Sequence, residues 1–152
     1  MTRLLIDSNV LVYRLDAREP AKRGQAHQLL LRLQPTGAAD LSAQVLGEFF
    51  RVVTARLSPP VPVTDAVRLV GQLVRSFPVW PIDERVVLEA VRGVRDHHLP
   101  YWDSQLWATA KIHGCNAVLS EDFTDGRVVE GVTFHDPFAG HFSLTTLLSG
   151  SA

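Results

Sequence analysis

The chain has 152 residues, 46% of them apolar, and a formal net charge of −1. That describes one domain with a true core, and it excludes a disordered chain and any bulk electrostatic pull toward nucleic acid or membrane. A single cysteine excludes an internal disulfide, and the short apolar runs provide neither a signal peptide nor a membrane span, so a cytoplasmic protein with no membrane partner is expected.

Leu4-Leu5-Ile6 reads as a buried strand of parallel type that ends at Asp7, followed by a short helix over 10–15. Pro20 opens a second helix carrying Ala26, Leu29, Leu30 and Leu33, which Pro35 and Gly37 stop. Residues 38–41 form a weak strand. Ser42 caps a helix through Leu57, with Val45, Leu46, Phe49, Phe50 and Val53 on its apolar face and Glu48 at the flank. Beyond the stiff Ser58-Pro59-Pro60-Val61-Pro62 connector, Thr64 or Asp65 caps a helix bearing Val67, Leu69, Val70, Leu73 and Val74. A short strand over 79–82 precedes Asp83, the N-cap of a helix to about Asp96. His97-His98-Leu99-Pro100 breaks the chain before a helix from about Trp102 to His113, closed by Gly114. Strands over 117–120 and 132–134 follow, and the structure of 138–152 is not assigned. Strands alternating with helices predict a three-layer α/β/α domain around a parallel sheet of four or five short strands. The domain spans 1–138, and 139–152 is a C-terminal tail.

Four acids share a local context. Asp7 and Asp122 each follow a strand, while Glu48 and Asp103 lie early in helices. In a parallel sheet all four fall near the carboxyl edge, where ligands bind. Asp103 heads the apolar stripe of Leu106, Trp107 and Ala110, a costly place for a charge unless it caps the helix, pairs with a cation or binds metal. For Asp7 the competing reading is that it, Ser8 or Asn9 merely caps the next helix. Converging carboxylates repel, and oxygen ligands without thiolate or paired histidine favour Mg²⁺ or Mn²⁺ and phosphoryl chemistry. With 16 acidic residues, some set of four is always on offer, so the pattern alone decides little.

Leu5-Ile6-Asp7-Ser8-Asn9-Val10-Leu11, Ser42-Ala43-Gln44-Val45-Leu46-Gly47-Glu48-Phe49, Tyr101-Trp102-Asp103-Ser104-Gln105-Leu106-Trp107-Ala108-Thr109-Ala110 and Leu119-Ser120-Glu121-Asp122-Phe123 occur in that order, followed by Asp125-Gly126 and Gly131-Val132. In order and spacing, from residue 4 to about 138, the chain resembles the PIN-domain ribonucleases, especially the VapC-type toxins of toxin–antitoxin pairs. The resemblance implies a divalent-metal endoribonuclease with an acidic quartet at Asp7, Glu48, Asp103 and Asp122. Asp7, Asp103 and Asp122 would be the direct ligands of Mg²⁺ or Mn²⁺, with Glu48 completing the shell or positioning water. Ser120 matches a small hydroxyl position of the family. Glu121 and Asp125, close by, compete for the role of Asp122. The resemblance further implies an RNA substrate, a cognate antitoxin and a homodimer.

Other readings compete. An aspartyl phosphotransferase would carry a second aspartate two residues after the first, where this chain has Asn9. A non-catalytic binding module would have no need of all four acids. The six histidines form no metal set, and Ser8 lacks a defensible histidine–carboxylate pairing. Trp102 and Trp107 belong to core or interface before base stacking. Arg14, Arg18, Lys22 and Arg23 each solvate a helix face before they touch RNA phosphate.

Overall fold

The computed structural model describes residues 1–150. Strand β1 (Leu4–Ile6) is buried on both faces, as an apolar run inside a parallel sheet must be. In chain order it is followed by α1 (Ser8–Tyr13), α2 (Pro20–Leu33), β2 (Ala39–Ser42), α3 (Ala43–Ala55), α4 (Val63–Ser76) and β3 (Val79–Trp80). Then come α5 (Glu84–His97), α6 (Tyr101–Ile112), β4 (Ala117–Leu119), β5 (Val128–Val129), β6 (Val132–His135) and α7 (Leu144–Ser149).

The sheet order is β3-β2-β1-β4-β6-β5. The first five strands are parallel, as the alternating pattern predicts. β5 is the addition, an antiparallel hairpin partner of β6 turned through Glu130 and Gly131, both at positive φ. Two residues carry no periodicity, so this strand has no sequence signal. The chain leaves β1 toward β2 on one side and returns to β4 on the other. The crevice between the carboxyl ends of β1 and β4 is therefore the topological switch point.

Helix starts are set by caps. Asp7 accepts the Ser8 N–H at 2.7 Å, so α1 begins at Ser8, ahead of the expected position. Ser42 and Asp83 accept the N–H of Val45 and Val86, both at 3.2 Å, and open α3 and α5 as expected. α4 differs: Pro62 occupies the cap position with no side-chain bond, and Asp65 sits in the first turn, where the helix dipole favours it. The tail forms α7, capped by Ser143, with Leu144 and Leu147 buried in the core.

α6 is buried on nearly every side from Ser104 to Ala110, and α5 packs closely on it. The approach is made at Gly93, where an added Cβ would lie 2.3 Å from Ser104 Oγ and 2.7 Å from Trp107 Cζ3. Ser104 Oγ donates to the Ala90 carbonyl at 2.6 Å, and Trp107 Nε1 donates to the Val129 carbonyl at 3.0 Å. This packing fixes the N-terminal turn of α6, and with it Asp103.

The amino edge of the sheet holds a separate polar knot. Asp40, wholly buried in β2, accepts from Arg3 Nε at 2.8 Å, Arg3 Nη2 at 2.9 Å and Trp80 Nε1 at 2.8 Å. Cys115 lies against it, its Sγ 3.6 Å from Asp40 Oδ2, and burial pushes the thiol up to about 12. Among the described residues, no helix is long and apolar enough to cross a membrane.

Candidate active site

Ile6 pairs with Leu119 across β1 and β4, so Asp7 and Ser120 emerge side by side at the switch point. The Asp7 N–H donates to the Leu119 carbonyl at 3.0 Å, which fixes the direction in which its side chain leaves the sheet. Ser120 Oγ donates to Asp7 Oδ2 at 2.7 Å and accepts the Asp122 N–H at 3.1 Å. Asn9, on the first turn of α1, reaches three groups with one amide nitrogen: Asp7 Oδ2 at 3.3 Å, Ser120 Oγ at 3.0 Å and Asp122 Oδ2 at 3.2 Å.

Glu48 comes from α3. Its Oε2 accepts from Ser8 Oγ at 2.9 Å, and its Oε1 accepts from Gln44 Nε2 at 3.0 Å. Gln44 is held in turn by Gln105 Nε2 at 2.8 Å, and it donates to the Trp102 carbonyl at 3.2 Å. These bonds join α3 to the α6 turn that carries Asp103.

The charges of Glu48 and Asp122 reach both Asp7 and Asp103. Burial pushes Asp7 up to about 6; the Ser120 and Ser8 hydrogen bonds pull it down, and the charges of Glu48 and Asp122 push it further up. Asp103 is raised as well, by burial first and then by Asp122 and Glu48. Hydrogen bonds through Ser8, Ser120 and Asn9 thus link Asp7, Glu48 and Asp122, and Asp103 is tied to them by the charges of Glu48 and Asp122. Among the described residues, none of the four joins an ion pair.

Their neighbours are engaged elsewhere. Glu121 accepts from Lys22 Nζ at 2.8 Å and from the Tyr13 hydroxyl. Asp125 accepts the Asp136 N–H at 2.8 Å and faces His141 Nε2 at 2.7 Å. His97 faces Glu130, and His113 stacks on Trp80. Trp107 is core, as expected, whereas Trp102 is 63% exposed. Of the basic group, Lys22 is tied to Glu121 and Arg18 to Asp16. Sequence reasoning missed Gln44 and Gln105, and it read Ser8 and Asn9 only as caps or against other mechanisms. The available signal was spacing: Gln44 lies one helical turn before Glu48, and Asn9 two residues after Asp7.

The donor set fits a hard divalent cation. It offers oxygen ligands only, and among the described residues it has no counter-cation and Asn9 Oδ1 is buried without a partner. Among the described residues, no three acidic, histidine or cysteine side chains stand as a ready metal cage. Ser8 and Asn9 hydrogens occupy the carboxylate oxygens instead.

Fold and site together define an α/β domain with an acidic crevice at the switch point of its parallel sheet. Residues 4–124 match the family model of the PIN domain, and the chain belongs to that family. No curated protein sequence matches. Among solved structures, a toxin–antitoxin complex from Klebsiella pneumoniae is similar at TM-score 0.64 and 19% identity, covering 88% of this chain and 97% of that one. VapC20 from Mycobacterium tuberculosis, described as a Sarcin-Ricin loop cleaving toxin, is similar at TM-score 0.60 and 16% identity, covering 76% of this chain and 86% of that one. DNA-bound VapBC from Salmonella typhimurium is similar at TM-score 0.60 and 15% identity, covering 90% and 99%. At these identities the likeness is one of fold.

Proposed function

We propose that this chain is a divalent-metal-dependent endoribonuclease of the VapC type, the toxin of a toxin–antitoxin pair acting in the cytoplasm. One observation carries the reading: the charges of Glu48 and Asp122 reach both Asp7 and Asp103, which burial already raises, and among the described residues none of the four has a cation of its own. Leaving such charges uncompensated is costly, and a divalent ion relieves it.

In this reading Asp7, Asp103 and Asp122 hold Mg²⁺ or Mn²⁺. When bound, the ion supplies Lewis-acid activation of water and neutralises charge on the phosphate. Ser8 and Gln44 hold both oxygens of Glu48, which leaves that carboxylate oriented to position the attacking water and accept its proton. Ser120 and Asn9 fix Asp7 and Asp122 against rotation. Water adds to the phosphodiester and the strand breaks, leaving a 5′-phosphate and a 3′-hydroxyl on RNA. The partners in this reading are a cognate antitoxin and a second copy of the chain. Similar solved structures described as toxin–antitoxin complexes support the first, and exposed Leu88 and Val91 on α5 support the second.

The test is to incubate the protein and Asp7→Asn with total cellular RNA and Mg²⁺ or Mn²⁺, then map new 5′ ends. Discrete cuts that vanish in EDTA and in the variant are expected. Cuts that survive both would overturn the reading.

A further inference from the structure

We propose that Arg56 binds a phosphate of the RNA strand next to the scissile bond, at the outer end of a stripe on α3 that leads out of the active site. The proposal rests on the nuclease reading. Gln44, Glu48, Val52 and Arg56 are spaced by four and so lie along one side of α3. The inner end of this stripe is built into the site, because Gln44 and Glu48 are hydrogen-bonded to each other. Its outer end opens into a cleft of about 270 Å³, where Val52 and Arg56 face Asn9, Tyr13 and Asp122. The cleft is therefore continuous with the carboxylates through Asp122.

The charge pattern points to a polyanion strand. A net charge of −1 gives the protein no general attraction for RNA, and the crevice itself is acidic. Something beside the acids must seat the backbone. Arg56 is exposed and, among the described residues, has no carboxylate partner. The other arginine in the cleft, Arg18, is already held by Asp16, with Nε 3.1 Å from Oδ1. Eight residues of helix separate Glu48 from Arg56, about 12 Å along the axis. That places Arg56 at a neighbouring phosphate of the strand, not at the one being cut. A guanidinium presents paired N–H donors that match phosphate oxygens. The competing role is structural: Arg56 stands at the C-terminal end of α3, where a cation offsets the helix dipole.

The experiment compares Arg56→Gln with Arg51→Gln, an exposed arginine of the same helix outside the cleft. The probe is a fluorescein-labelled single-stranded RNA of mixed sequence, bound to the Asp7→Asn protein so that it is not cut, over a range of salt. Arg56→Gln should weaken binding roughly 5- to 10-fold and lower the log–log salt slope by about 0.7, one phosphate contact to a single strand, while Arg51→Gln changes neither. With Asp7 intact, Arg56→Gln should raise KM for RNA more than it lowers kcat. Equal losses in both variants, an unchanged salt slope, or an effect confined to Tm or to binding of a protein partner would overturn the proposal. If the parent protein cuts RNA normally and Arg56→Gln cuts and binds as it does, this inference fails alone. If the parent binds RNA through Arg56 without cutting it, the nuclease reading fails alone.

Discussion

Ser120 donates its hydroxyl hydrogen to Asp7 at 2.7 Å, and through the same oxygen it accepts the backbone N–H of Asp122 at 3.1 Å. One small side chain thus sets the spacing of two acids that lie far apart in sequence. Ser120→Ala removes the bond that most stabilises the Asp7 anion and leaves the Asp122 N–H without its acceptor. Activity on RNA should fall roughly 10- to 100-fold, with a matching loss of Mn²⁺ affinity by titration. Activity within twofold of the parent would remove Ser120 from the site's architecture.

Asp7 should make the metal-free protein less stable at neutral pH than in mild acid. Its folded-state value of about 6 lies above the ordinary 3.8, so the burial cost is fully present above about pH 6 and is lost as pH falls toward 4. The cost is about 3 kcal/mol at full effect. Asp7→Asn should therefore raise Tm in EDTA at pH 8, with the gain closing between pH 6 and pH 4. Asp103→Asn should act in the same direction. Added Mn²⁺ should raise the parent's Tm and leave that of Asp7→Asn nearly unmoved. A lower Tm for Asp7→Asn at pH 8 would make its helix-capping bond to Ser8 the dominant role.

Gly93→Ala should destabilise the fold even though alanine is the better helix former. The new methyl meets Ser104 Oγ and the buried Trp107 ring well inside contact distance, so α5 and α6 must part. Overpacking of this kind costs about 1–3 kcal/mol. Urea unfolding should show it, and activity should fall as well, because α6 carries Asp103. Unchanged stability would mean that the Trp107 ring yields without moving α6.

At the opposite edge of the sheet, Arg3→Met leaves the wholly buried Asp40 without its cation. Asp40 is buried but Arg3 is 39% exposed, so the loss should fall short of that for a fully buried pair, at about 1–3 kcal/mol. Unfolding should show that loss while kcat of the remaining folded protein stays near the parent's. A selective loss of kcat would connect the two edges of the sheet.

Much of this architecture was legible in the residues. The Leu4-Leu5-Ile6 run ending in Asp7 marks a central strand, and Ser42 and Asp83 are caps because their side chains can reach an N–H that the helix leaves free. Asp103 stood out because a charge heading an apolar stripe needs a reason, and the rest of the quartet came from the ordered motifs of the family resemblance. What stayed hidden depends on pairing at long range. β5 exists only through its hairpin with β6, and α7 only because the core receives Leu144 and Leu147. α4 starts two or three residues early because a proline fits the cap position without any side-chain bond. The links from Gln44 to Gln105 and from Arg3 to Asp40 join residues 61 and 37 positions apart, and no local pattern announces them.

The chain's one sulfhydryl is shut away beside Asp40, with a proton that leaves only near pH 12. Alkylating reagents attack thiolates, so maleimides used near neutrality should pass it by. A surface position changed to cysteine would then take a fluorophore or spin label alone, and RNA or a partner protein arriving at the crevice could be followed without first replacing the native residue.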